Sequence, residues 1–191
     1  MSPRTNEQFE EIRSTRKFQI MEAALEVFAK EGYDKASISK IAEAANISKG
    51  LMYNYFSSKE ELLKTVLIQG VEGLKEAFIQ IEDELDTPDE LEIFIKGGMD
   101  IMRQESHFYK LYFTVFFQPA AQEIMKENYQ EVIGGLLEDI TSYFKAKGDP
   151  HPMEKATLLA AIMDGFGMYY LMNPELYDLD VYEKIIFDLF K

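Results

Sequence analysis

The 191-residue chain has no cysteine and only two histidines, His107 and His151. The first absence excludes a disulfide framework and thiolate chemistry. With so little imidazole, no Gly-rich phosphate loop, no Ser/His/acid order and no metal-ligand spacing, nothing calls for catalysis, a cofactor or a metal. No uninterrupted apolar run is long enough to span a bilayer. The first eleven residues are polar and carry Glu7, Glu10 and Glu11, unlike a secretory signal. A soluble, cytoplasmic protein is expected. No alternating apolar–polar run reads as a strand, and there is no repeat or low-complexity segment. Arginine is missing between Lys17 and Met102.

What is present is unevenly spread. At 47% apolar the chain can bury a sizeable core and fits one or two domains. The net charge is −14, which taken whole argues against a nucleic-acid partner. Residues 1–64 carry ten Lys+Arg against ten Asp+Glu, whereas 65–191 carry ten against 24, so the acidic excess lies in the second part. Such a body repels phosphates and leaves the neutral front as the face able to approach a duplex. Two domains are expected, 1–64 and 65–191.

The pattern is helical nearly throughout, giving an all-α fold of about nine helices. Thr5 or Asn6 caps a first helix to about Glu31, with Ile20, Met21, Ala24, Leu25 and Phe28 as its apolar stripe. Gly32 provides a left-handed stop. Ser37 caps a short helix through Ala45, and Ser48 caps another through about Tyr55. Between them Asn46 stands where a sharp reversal needs positive φ. Ser57 or Ser58 makes a capping box with Glu60 or Glu61 for a long helix to about Asp83. Thr87-Pro88-Asp89-Glu90 opens a helix to about Gln104. Ser106 begins another, Pro119 a further one to near Lys147, and a helix from about Met153 to Met172 stops at Asn173-Pro174. Asp180 and Glu183 box the last helix.

Two short helices with a tight turn, followed by a third, form a DNA-reading helix-turn-helix. Ile41, Ala42, Ala45, Ile47, Leu51, Tyr55 and Phe56 are expected to pack inward. Lys49, Gly50, Met52, Tyr53 and Asn54 are left on the outer face. Lys49 can donate to guanine and Asn54 can pair with adenine in the major groove. Tyr53 can offer its hydroxyl to a phosphate and its ring to a thymine methyl. Ser37, Ser39, Lys40, Ser48 and Lys59 lie at helix starts, where amides, hydroxyls and ammonium groups meet phosphate. Gly50, costly inside a helix by about 1 kcal/mol, is justified by close approach to a phosphate or base edge. Arg4, Arg13 and Arg16 precede the motif and can touch the backbone. Lys59 can equally be an ordinary solvated helix residue.

The order of these residues resembles the N-terminal domain of the TetR family of bacterial transcriptional regulators. The family signature appears as Phe28-Ala-Lys-Glu-Gly32-Tyr33 and then Ser37 through Leu62. Asn46 replaces the usual Gly, Ile47 replaces Val, and Asn54 stands where members often place His or Arg. The resemblance implies a homodimeric regulator, here expected to be a repressor of a palindromic operator released by a small effector.

The second part carries six aromatics between Phe108 and Phe117. By the resemblance, an effector pocket lies between its helices. His107, Tyr109, Tyr112, Phe113, Phe116, Tyr129, Tyr143, Phe166 and Tyr170 are its candidate lining, although for any single aromatic a place in the core is the better bet. The acidic surroundings favour an apolar or aromatic ligand that is neutral or cationic. Leu158 to Met172 is apolar on most faces, with small residues along it. Leu158, Ala161, Gly165, Met168, Ile185 and Leu189 are candidates for a four-helix dimer interface. Asp164 is out of place there, and its role is open between pairing across the dimer, contacting ligand and facing water. The competing readings are an enzyme or an interaction module that uses the aromatic helical pocket.

Overall fold

The computed structural model describes residues 6–76, 88–128 and 134–191, with side chains described for 14–73, 89–128 and 134–191. The caps at Thr5, Asn6 and Thr87, the stretch up to Asp83, the side chains of Arg4 and Arg13, and Tyr129 lie outside the described residues.

Every described element is helical: α1 (Asn6–Glu31), α2 (Ile38–Ala44), α3 (Lys49–Tyr53), α4 (Lys59–Glu76), α5 (Pro88–Gln104), α6 (Ser106–Phe116), α7 (Pro119–Glu127), α8 (Gly135–Ala146), α9 (Pro152–Met172) and α10 (Leu179–Phe190), with a 3-10 turn at Pro174–Leu176 before α10. This is one helix more than expected, because the single helix predicted from Pro119 to Lys147 is two, α7 and α8. The final cap also differs. Asp178, not Asp180, ends the preceding loop and accepts the Asp180 amide at 3.1 Å.

Local signals account for most boundaries. Gly32 has φ +81° and Asn46 φ +53°, the conformation that Gly and Asn tolerate best. Ser37 accepts from the Lys40 amide at 3.3 Å, and Ser48 from the Leu51 amide at 3.1 Å. At the start of α4, Ser58 accepts the Glu61 amide at 3.0 Å. Glu61 closes the box one residue early: its carboxylate takes both the amide and the hydroxyl of Ser57. Those two donors hold the Glu61 carboxyl below its ordinary value.

One core runs from Ile20 to Phe190. Helix α1 packs on α2, α4 and α6, and α4 also meets α5, α6 and α7. Helix α6 comes close to α4 at a glycine. Tyr112 lies against Gly70, where an added Cβ would sit 2.1 Å from the ring. Its hydroxyl donates to the Leu67 carbonyl at 3.2 Å, and Tyr109 donates to the Gly70 carbonyl at 3.0 Å. At the far end, the α9–turn–α10 corner is an aromatic knot in which Phe166 stacks on Tyr182 at 4.3 Å and meets Tyr177 edge-on.

Gly70→Ala gains about 1 kcal/mol of helix propensity but forces the buried Tyr112 ring off its seat. Overpacking of about 1–3 kcal/mol, together with the disturbed hydroxyl bond, outweighs that gain. Urea unfolding is expected to show a less stable variant, whereas a propensity effect alone would make it more stable.

Candidate nucleic-acid interface and effector cavity

The turn between α2 and α3 is built from the inside. Ile41 and Ala42 are buried, the Ile47 amide donates to the Ala42 carbonyl at 2.9 Å, and Asn46 reverses the chain. Ser48 then starts α3. Lys49, Gly50, Tyr53 and Asn54 are exposed, as are Ser37, Ser39, Lys40 and Ser48. An added Cβ on Gly50 would meet nothing closer than the Ser48 hydroxyl at 3.9 Å. No packing within the chain therefore requires glycine there.

Two expectations fail. Met52 has no exposed surface, so it is a core residue and not part of the outer face, while Leu51, expected inside, is 37% exposed. The reason is the short length of α3. With five residues it has one inward position, and the packing of its neighbours gives that position to Met52. Lys59 is the second. Its ammonium donates to the Tyr33 carbonyl at 2.7 Å and the Ala36 carbonyl at 3.0 Å, and it lies 4.1 Å from the centre of the Tyr33 ring. It is half-buried and clamps the α1–α2 loop, so it is neither a solvated residue nor aimed at a phosphate. Lys40 is paired with Glu31, and Tyr55 is only partly buried, packed against the core.

Further along the chain, a small apolar cavity of about 70 Å³ lies between α5, α8, α9 and the start of α10. Met99, Met102, Ile140, Met163, Phe166 and Tyr170 are among its walls. Phe166 and Tyr170 are expected there, and Met99, Met102 and Met163 stand beside them, in keeping with the fit of flexible methionines to adaptable apolar walls. Asp164 is the one charged residue lining it. Asp164 is open to solvent in the single chain yet crowded by protein, and that crowding raises its carboxyl above the usual value.

The other aromatics sort differently. Tyr112 and Tyr143 are core residues, and the Tyr143 hydroxyl is buried without a hydrogen-bond partner among the described residues. Tyr109 is buried and borders a separate cleft beside α1. Phe113 and Phe116 are half-buried against Tyr112 and line neither opening. His107 is exposed at the start of α6 and lines neither. A run of aromatics along one helix cannot all face one cavity, because successive side chains are turned by 100°.

On α9, Leu158, Ala161, Ile162, Tyr169 and Met172 are exposed along one face, with Gly165 and Met168 half-exposed among them. On α10, Val181, Ile185 and Leu189 are 49%, 49% and 63% exposed. Side chains at i, i+4 and i+8 share a helix face, so each helix presents an apolar stripe to solvent. Among the described residues no helix is long and apolar enough to cross a membrane, and no group of acidic and histidine side chains could hold a metal ion.

Residues 20–66 match the family model described as bacterial regulatory proteins, tetR family. The HTH-type transcriptional activator FasR of Mycolicibacterium smegmatis is 34% identical over 102 residues, which cover 53% of this chain and 47% of FasR. The chain spans about half the length of the curated relatives it matches first. Among solved structures, the fatty acid degradation regulator FadR of Bacillus halodurans superposes with a TM-score of 0.74 at 23% identity, covering 92% of this chain and 94% of that one. FadR of Bacillus subtilis, solved with stearoyl-CoA, gives 0.72 at 21% identity over 91% of this chain and 96% of that one. These likenesses show the all-α fold.

The Lys59 clamp is testable apart from DNA. Lys59→Met keeps the stem and removes the ammonium, taking one donor from each of two loop carbonyls, of which Tyr33's keeps the Ala36 amide. It is expected to cost about 1–2 kcal/mol, read as a lower urea midpoint. An unchanged midpoint would show that the contacts do not hold the loop.

Proposed function

The chain belongs to the tetR family of bacterial regulatory proteins, and from that premise we propose that it is a homodimeric repressor whose hold on a palindromic operator is released by an effector. Regulators of this family bind DNA and are not enzymes. The observation that carries the proposal is the outward face of α3. Lys49, Gly50, Tyr53 and Asn54 stand exposed together on a helix whose entry is fixed by Asn46 and Ser48. In a major groove Lys49 donates to guanine O6/N7 and Asn54 pairs with adenine. Tyr53 and the exposed Ser37, Ser39, Lys40 and Ser48 serve the backbone. Met52 and Lys59 hold the head together. The reading head is residues 1–64, and the effector-binding and dimerisation body is 65–191.

The apolar stripes of α9 and α10 support the dimer. Leu158, Ala161, Gly165 and Met168 from one helix and Ile185 and Leu189 from the other would meet their copies across a two-fold axis. At Gly165 an added Cβ would meet nothing within 4 Å in the single chain, so a partner helix can come close. Two heads then reach successive major grooves about 34–36 Å apart. The effector enters the Met- and Phe-lined cavity, which must open from about 70 Å³ towards the roughly 300 Å³ or more of ordinary ligand sites. Unbranched methionines permit that. Stearoyl-CoA in the Bacillus subtilis FadR suits an apolar wall of this kind. Here Asp164 at the wall favours a ligand whose polar end is neutral or cationic.

Fluorescence anisotropy with a palindrome from the gene's own promoter region tests the head. Lys49→Ala and Asn54→Ala are each expected to weaken specific binding at least about tenfold with unchanged melting. Gly50→Ala is expected to weaken it while holding or raising stability. Retained affinity in all three would refute the assignment of α3. The dimer has its own test. Leu158→Glu with Ile185→Glu places like charges on an exposed apolar face, so the variant is expected to sediment as a folded monomer and to lose tight DNA binding. A wild-type monomer in solution would remove the dimer from the proposal.

A further inference from the structure

A second opening lies between the proposed reading head and the body. It is a cleft of about 410 Å³ walled by α1, α4, α5 and α6, distinct from the apolar cavity and sharing no residue with it. Its volume is already in the range of ligand sites. Phe18 of α1 lies on this wall and is 42% exposed, although its neighbours Ile20 and Met21 are buried. Across from it, Phe108 and Tyr109 meet edge to face at 5.2 Å. The Tyr109 hydroxyl is tied to the Gly70 carbonyl, which fixes that ring. Gly73 keeps the cleft's wall low, since a Cβ there would lie 2.9 Å from the Tyr109 oxygen.

Among the described residues that line the cleft, the charge is all of one sign: Asp100 and Glu105, with no lysine, arginine or histidine. Asp100 shares Arg103 with Asp180, at 3.2 and 2.7 Å, so one guanidinium serves two carboxylates. Glu105 also repels Glu22 on α1, whose carboxyl is raised by its burial first and by Glu105 next. Phosphates are therefore unwelcome here. Three aromatic rings beside Glu105 and an Asp100 that shares its one guanidinium suit an organic cation, which gains from ring faces and from the carboxylate together. A bare metal ion would find no such advantage in the rings.

We propose that this cleft binds an organic cation, a quaternary or protonated amine carrying an aromatic or alkyl body, through Phe18, Phe108 and Tyr109 with Asp100 and Glu105. Because α1 and α4 form two of its walls, occupancy also biases the position of the head, a clause that rests on the regulator reading given above.

The test is calorimetry on the full chain without DNA, using para-hydroxyphenyltrimethylammonium and its neutral isostere para-tert-butylphenol. Saturable binding of the cation is expected, with the isostere at least about tenfold weaker. Glu105→Gln and Phe18→Ala, both at exposed positions, are each expected to lower cation affinity about fivefold or more with unchanged melting. Asp164→Asn should leave it unaltered. No saturable binding, equal binding of the isostere, or indifference to both cleft substitutions overturns the site. Loss through Asp164→Asn alone overturns it too, by placing the cation in the apolar cavity. Anisotropy on the operator fragment with saturating cation then reads the coupling. A changed affinity supports it, and an unchanged one overturns the coupling while the site stands. If the chain binds no DNA at all, the regulator reading fails and the calorimetric result is untouched.

Discussion

The side-chain amide of Gln118 ties the α6–α7 corner to the end of α1. It donates to the Phe28 carbonyl at the end of α1 at 2.9 Å and accepts the Tyr33 amide just beyond it at 2.8 Å. Gln118 stands at the α6–α7 corner as the residue before α7, and it leaves that helix's own amides uncapped to do this. Its position makes the loop leading into α2 continuous with the body. Lys59 grips the same loop from the other side through Tyr33 and Ala36. Tyr33 is thus held three ways: by its amide, by its carbonyl and by its ring. The orientation of the α2–α3 turn depends on this loop, because Ser37 begins α2 four residues later.

Helix α4 is the second tie, fastened at several points along its length. Lys64 bonds to Asn128 at the end of α7 at 2.7 Å, and the tyrosine hydroxyls of α6 reach the Leu67 and Gly70 carbonyls. These carbonyls already belong to the helix ladder, so the tyrosines use their second lone pairs and leave the ladder unbroken. Glycines at 70 and 73 bring α6 close enough for that. A movement of α6 by even a fraction of an ångström is therefore passed to α4, since packed rings and notches do not deform continuously. The boundary at residue 64 inferred from charge falls inside α4, so the two proposed parts share a rigid element instead of a linker.

Much of the head was legible because its signals are local. A residue that tolerates positive φ at 46, serines at 37 and 48, and a glycine at 32 each solve a backbone problem within four residues of themselves. The orientation of α3 was not legible in full. Its five residues contain too little of the 3.6-residue period to reveal a face, so Leu51 and Met52 exchange the places expected of them. The packing of α3 on its neighbours, α2 among them, decides the matter. Lys59 shows the same limit, since nothing near it in sequence announces Tyr33 and Ala36 as partners. In the body, the aromatic run lies on α6, which borders the cleft but not the apolar cavity. Whether a given ring is core, cavity wall or cleft wall depends on which helix faces it, and so Tyr112 and Tyr143 became core while methionines line the cavity.

The two openings differ in how a ligand could act on the proposed head. The apolar cavity is small, about 70 Å³, and its walls come from α5, α8, α9 and α10. A ligand there must favour an expanded body by its differential affinity, and the strain would reach α4 through α5 and α6. The cleft is already open and includes α1 and α4 directly. A ligand there needs no expansion and acts on the head without an intermediary. A chain carrying both has one site that reports through the body and one that reports at the joint. Phe18, Glu105 and Asp164 then separate the two chemically: an apolar wall with one carboxylate for the first, and rings with two carboxylates, one of them sharing Arg103, for the second.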